Sequence, residues 1–161
     1  MSDVRIRTAV TEDDPTLSEL VQRTWSPATE ITPRPPAGEP FFHEASRPED
    51  YLIAELDDRV VAYLRLVQPI PVDSCAHVRQ IQGLAVDEPA RRRGVATALI
   101  AAAVAESRHQ RASRLTLRVL STNLAAQRLY ARAGFTLEGT LRSEFYLEEK
   151  FVDDLLMARQ I

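Results

Sequence analysis

Apolar and polar positions change period several times along the chain, and each change predicts an element. Val4 and Ile6 alternate with Arg5 and Arg7, as in a short strand. Thr11-Glu-Asp-Asp-Pro15 then places a capping segment and a proline at a helix start, so a helix should run to about Trp25. Between residues 26 and 48 stand Pro27, Pro33, Pro35, Pro36, Pro40, Pro48 and Gly38, which disfavour regular helix or central strand and predict a loop. Residues 51–56 and 60–67 are β-rich runs, and the polar turn Asp57-Asp58-Arg59 between them forces antiparallel pairing. Residues 76–86 read as a further strand, with Gly83 marking a bulge or a close backbone approach.

From Arg92 to about His109, Val95, Ala98, Leu99, Ala102 and Ala103 recur at spacings of three and four, the face of a helix. Leu115, Leu117 and Val119 alternate in a strand over 114–120, and a second helix over 123–133 stops at Gly134. Strands over 135–147 and 151–158 flank the turn Glu148-Glu149-Lys150. The order β-α-β-β-β-α-β-α-β-β mixes hairpins with helical crossovers, so the sheet is expected to be mixed.

The chain's 161 residues, 45% of them hydrophobic, suit one globular domain over 1–161 with a substantial core. A net charge of −3, with 20 basic and 23 acidic residues intermixed, excludes broad nonspecific binding to nucleic acid or anionic membrane. No leader-like apolar stretch opens the chain and no run approaches the ~20 apolar residues of a membrane span, so a cytoplasmic address is expected. The lone Cys75 lacks companions at ligand spacing, and neither a disulfide nor a metal site is expected.

The candidate chemistry lies in Leu84-Ala85-Val86, the turn that follows, and Arg91-Arg92-Arg93-Gly94-Val95-Ala96-Thr97. A helix start leaves about four N–H groups unpaired and carries partial positive charge, and a glycine lets phosphate oxygens approach that backbone closely. The three arginines are either a solvated first turn or a phosphate site. Cations at a helix N-terminus oppose its dipole unless an anion lies between them, which argues for the site. The Walker and dinucleotide glycine patterns are absent.

What remains, Arg91-x-x-Gly94-x-Ala96 behind a strand ending in Leu84-x-Val86, resembles the acyl-CoA-binding motif of the GNAT N-acetyltransferase superfamily. Asn123, Tyr130 seven residues later, and Gly134-Phe135 resemble its second landmark. The resemblance implies a single-domain GNAT-like α/β fold, a mixed central sheet of about seven strands flanked by helices. It implies acetyl-CoA as cosubstrate with no metal, and a small-molecule or peptide amine as acceptor. It allows a homodimer. By the same resemblance Leu84, Ala85 and Val86 pair with pantetheine like an added strand, with the bulge at Gly83. Arg91, Arg92, Arg93, Gly94, Val95, Ala96 and Thr97 take the pyrophosphate. Asn123 contacts the pantetheine arm, caps its helix, or does both. Tyr130 is the general acid, or packs its ring in the core.

The general base is not marked. The run from His77 to Gly83 holds no acid, so His77, a water on Gln80 or Gln82, Glu44 and Glu144 stay open as candidates. In relatives of this kind the loop after the first helix varies with substrate, which makes residues 26–48, with Trp25, Phe41 and Phe42, the expected acceptor wall. The rival reading is a noncatalytic acyl-CoA sensor that keeps the cradle without turnover.

Overall fold

The computed structural model describes residues 3–161. In chain order the elements are β1 (Arg5–Thr8), α1 (Asp14–Thr24), β2 (Tyr51–Leu56), β3 (Arg59–Val67), β4 (Val78–Val86), α2 (Val95–His109), β5 (Arg114–Leu120), α3 (Leu124–Arg132), β6 (Thr136–Leu147) and β7 (Lys150–Gln160). The seven strands form one sheet in the order β1-β2-β3-β4-β5-β7-β6. Only β4 and β5 run parallel, because α2 supplies the crossover between them, while the other neighbours are antiparallel. The mixed α/β architecture expected from the element order is the one observed.

Turn chemistry explains the two tightest hairpins. Asp57 and Asp58 both adopt positive φ, as do Glu148 and Glu149, and such two-residue turns match the twist of the strands they join. The loop over 26–48 forms no strand or α-helix. It folds back on α1, where Gln22 Nε2 donates to the Pro35 carbonyl at 2.6 Å and Arg34 Nη2 to the Gln22 carbonyl at 2.6 Å.

The sheet is covered on both faces at β2 and β3, while the edge strand β6 is largely exposed. Against α2, Leu52, Ala54, Leu64, Leu66, Ile81, Leu115, Leu117 and Val119 meet Val95, Leu99, Ile100, Ala103 and Val104. Tyr130 and Phe135 complete this core. On the α1 face, Tyr51 and Ile53 pack with Leu17, Leu20 and Ala9, joined by Phe41, Phe42, Val60 and Tyr63. Leu17 and Leu20 are fully buried, each stabilising the α1 packing by roughly 1.5–3 kcal/mol. β2 reads as a continuous apolar run because both its faces are covered.

Two expectations need correcting. α2 begins at Val95 with Gly94 as its N-cap, not at Arg92, because Arg92 and Gly94 take φ of +62° and +78° and keep the preceding residues out of the helix. The irregularity in β4 falls at Gln82 rather than Gly83. Arg65 pairs with Gly83 and Leu66 with Ile81, which leaves Gln82 as the extra residue.

Candidate functional site

The bulge in β4 coincides with a parting of strands. β4 and β5 pair from Val78↔Arg114 to Ile81↔Leu117 and no further. Beyond that point β5 continues on β7 as far as Leu120↔Asp154, while β4 continues on β3 as far as Ala62↔Val86. Residues 82–86 therefore have a strand partner on one side only. Their other edge faces a gap between two strands that are neighbours lower down, and Leu84, Ala85 and Val86 lie along it.

At the end of that edge the chain turns through Asp87, whose side chain accepts the Glu88 N–H at 3.1 Å, and enters α2. Gly94 supplies no side-chain cap. The first intrahelical bond is Ala98 N–H to Gly94 C=O at 3.0 Å, so the amides of Val95, Ala96 and Thr97 have no acceptor within the helix. A cavity of about 180 Å³ lies over this N-terminus, lined by Val86, Ala90, Arg91, Arg92, Gly94, Val95, Ala96, Thr97 and Leu129. A Cβ built on Gly94 would meet no atom within 4 Å; it would project into open space, where a ligand approaching the amides would have to sit. Arg91 Nε donates to the Val86 carbonyl at 3.1 Å, which ties the turn to the strand end. The cradle residues thus fit an anionic phosphate group.

The remaining residues singled out in the sequence are distributed around this cavity. Arg93 is exposed and does not line it, and neither do Leu84, Ala85, Asn123 or Tyr130. Asn123 is the N-cap of α3, its Oδ1 accepting the Ala126 N–H at 3.2 Å, which leaves its amide NH₂ for another partner. Tyr130 is 8% exposed and meets the Phe135 ring edge-on at 5.9 Å between centroids. Burial pushes its phenol up to about 12, and among the described residues its hydroxyl makes no hydrogen bond.

On the α1 side of β4, Phe41, Phe42, Tyr51 and Tyr63 form one aromatic cluster with centroid separations of 4.9–5.8 Å. It reaches β4 through Tyr63, which pairs with Ala85 and whose Cε2 lies 3.7 Å from the Cβ position of Gly83. Of the residues expected in the acceptor wall, Phe41 and Phe42 belong to this cluster, while Trp25 donates to the Thr32 carbonyl at 3.0 Å with Arg34 over its ring.

None of the candidate bases is brought clearly into the gap. His77 is exposed at the opposite end of β4, about 20 Å of strand from Gly83. Gln82 donates to Gln80 at 2.8 Å beside the bulge, and Glu44 and Glu144 are exposed. Sequence reasoning passed over Glu30, whose carboxyl is pushed up by desolvation although the residue as a whole is exposed. Burial first, then the Glu30 charge, pushes the Tyr63 phenol up, which places Glu30 near the same face. It also passed over Leu129, Tyr63 and Arg65; an arginine and a tyrosine at alternate positions of an otherwise apolar strand were the available signal. Among the described residues no group of three or more His, Cys, Asp or Glu is placed to hold a metal, and no helix is long and apolar enough to cross a membrane.

Against known proteins, residues 15–135 match the model of the "Acetyltransferase (GNAT) family". No curated protein sequence matches the chain. Among solved structures, smu.2055 from Streptococcus mutans UA159 is similar at a TM-score of 0.84 and 27% identity, over 97% of this chain and 98% of that one. The yncA protein of Salmonella typhimurium, solved with its cofactor acetyl-CoA, is similar at 0.78 and 18% identity, over 99% and 94%. The ribosomal-protein-S18-alanine N-acetyltransferase of Escherichia coli is similar at 0.75 and 21% identity, also over 99% and 94%.

Proposed function

Because the chain belongs to the acetyltransferase (GNAT) family, we propose that it is an acetyl-CoA-dependent N-acetyltransferase that acetylates a primary amine by direct attack. The acceptor class comprises small amines, amino acids and protein N-termini. The observation that carries this reading is the continuity of the free edge of β4 with the uncapped N-terminus of α2. An extended amide-bearing arm can add to the first as a strand, and its pyrophosphate can sit on the second. A ligand combining those two groups in that order is a coenzyme A thioester.

In this reading Leu84, Ala85 and Val86 hold the arm, while Val95, Ala96 and Thr97 offer amides to the phosphates with the Arg91, Arg92 and Arg93 charges around them. Bound there, acetyl-CoA supplies an acetyl thioester, whose C–S bond is exchanged for a C–N bond to the amine. Three tasks fall to the protein: to align the amine, to accept its proton and to supply one to the sulfur. Tyr130 fits the last. A buried phenol near 12 stays protonated at neutral pH, and its hydroxyl is not committed to another group among the described residues. A thiol has a pKa near ~8.5, so complete transfer of the phenolic proton is uphill and the hydroxyl acts chiefly by hydrogen bonding to the developing charge. Water carried by Gln80 or Gln82, and Glu30, whose charge acts on Tyr63 of the aromatic cluster, are the candidates to take the ammonium proton.

A panel of primary amines, assayed for thiol release from acetyl-CoA with affinity measured by calorimetry, tests the proposal. Saturable release with at least one class is expected. Tight binding without release from any amine would make the protein a sensor, and absence of binding would remove the cradle altogether.

A further inference from the structure

Arg7 and Arg118, on the α1 side of the sheet, are hydrogen-bonded to carboxylates, whereas Arg65 is paired only loosely. Arg7 donates to Asp13 at 2.9 Å and to Glu55 at 3.0 Å, and Arg118 donates to the buried Asp154. Arg65 makes no hydrogen bond to a carboxylate. Asp50 Oδ2 stands 3.9 Å from its Nη2, beyond hydrogen-bond reach, and the sole bond made by its five N–H donors runs from Nη2 to the Ala45 carbonyl at 2.6 Å. Its side chain is only 24% exposed, and its Nε is buried without a partner. A guanidinium withdrawn from water loses solvation, and one carbonyl bond with a carboxylate at 3.9 Å compensates only part of that loss.

The position of this cation matters as much as its pairing. Arg65 is the ladder partner of Gly83, beside the bulge where β4 leaves β5, with its own Cβ 4.0 Å from the Cβ position of Gly83. Its guanidinium carbon lies 5.9 Å from the centre of the Tyr51 ring, at the edge of the aromatic cluster. An amine arriving on this face to meet a thioester in the gap would carry the rest of its structure past Arg65.

We infer that Arg65 binds a carboxylate of the acceptor, so that the preferred substrate is an amine bearing a carboxylate in the same molecule, as α-amino acids do. This rests on the acetyltransferase reading above and narrows its acceptor. The aromatic cluster would pack against the apolar part of such a molecule, and a planar carboxylate matches the fork of a guanidinium.

The test compares three kinds of acceptor on the wild-type protein and Arg65→Gln: free L-amino acids, the same amino acids as primary amides, and a C-terminally amidated peptide whose second residue is Glu. The wild type should favour free acids over amides, and Arg65→Gln should raise KM for the acids roughly 10- to 100-fold, the worth of a lost charge-assisted pair, while amide kinetics and acetyl-CoA affinity stay unchanged. Arg65→Lys should recover part of the preference. Preference for the peptide, lost in Arg65→Gln, would still support a carboxylate at Arg65 and assign it to a protein side chain. Equal use of acids and amides by the wild type, or equal loss of both in Arg65→Gln, would overturn the inference and leave Arg65 as an anchor of the loop at Ala45. In either case acetyl transfer itself persists, which separates this failure from failure of the acetyltransferase reading. No transfer to any of the three, with release from a simple amine in the panel above, would overturn the inference and leave the acetyltransferase reading standing.

Discussion

Tyr130 combines a ring packed into the core with a hydroxyl that makes no hydrogen bond among the described residues. Removing only the oxygen should therefore separate packing from chemistry. Tyr130→Phe is expected to keep acetyl-CoA affinity and thermal stability and to lower kcat by roughly 10²–10³, the range for loss of one hydrogen-bond donor to developing charge. Steady-state kinetics on a confirmed acceptor, with calorimetry alongside, would measure it; an unchanged kcat would reduce Tyr130 to a packing residue. At Gly94 the expected effect is on binding. Its φ of +78° strains any L-residue by roughly 1–2 kcal/mol, and the new side chain would occupy the open space above the α2 amides. Gly94→Val should lose acetyl-CoA binding while a cooperative unfolding transition survives at a somewhat lower temperature. Both residues stood out in the sequence because glycine and tyrosine at those spacings carry a recognisable pattern. Arg65 showed there only as a basic residue two positions after Tyr63 in a largely apolar strand, since the distant groups that hold its guanidinium lie outside any local window.

Among the elements, α3 tests whether a cap and a ligand contact coincide in one residue. Asn123→Ala removes the bond to the Ala126 amide and should cost about 1 kcal/mol, a few degrees of Tm, while Asn123→Ser should restore most of that. If the Asn123 amide also serves the cofactor, acetyl-CoA affinity should fall in both variants; affinity that follows Tm would confine Asn123 to capping. The junction of β1 and β2 with α1 has a pH signature. Hydrogen bonds from Arg7 hold the Asp13 carboxyl below its ordinary range, and those from Arg5 and then Arg7 do the same for Glu55. A carboxyl depressed in the folded state binds fewer protons than in the unfolded chain, so its stabilisation is complete above the ordinary range near pH ~4 and is lost as pH falls through the folded value. Thermal unfolding followed from pH 6 down to pH 2 should show a steep drop below about pH 4, and Asp13→Asn should start less stable and fall less steeply. The elements themselves were readable locally. The 51–56 and 60–67 strands and the 114–120 strand stand as expected, because turn residues and alternation lie within each segment. The start of α2 was read three residues early, because positive φ at Arg92 leaves no trace in a helical periodicity.

For the molecule as a whole, the last strand in the chain is not the last in the sheet. β7 lies between β5 and β6, pairing with both, and buries Val152, Asp154, Met157 and Ala158. Removing residues 150–161 should therefore abolish cooperative folding rather than trim an edge, as loss of the thermal transition in circular dichroism would show; a cooperative transition in the truncated chain would contradict the strand order. The sequence by itself determined the period of each element, the hairpin turns, the glycine-bearing helix start and the family those features belong to. These are encoded by neighbours within a few residues, where backbone sterics and side-chain periodicity act directly. Only the tertiary structure decided that β4 and β5 part after Ile81 and Leu117, that Asp154 hydrogen-bonds Arg118, and that Arg65 beside the gap meets its nearest carboxylate, Asp50, only at 3.9 Å. Each of those outcomes depends on which distant segments come to lie side by side, and on the burial that follows, and no stretch of chain contains its own partner.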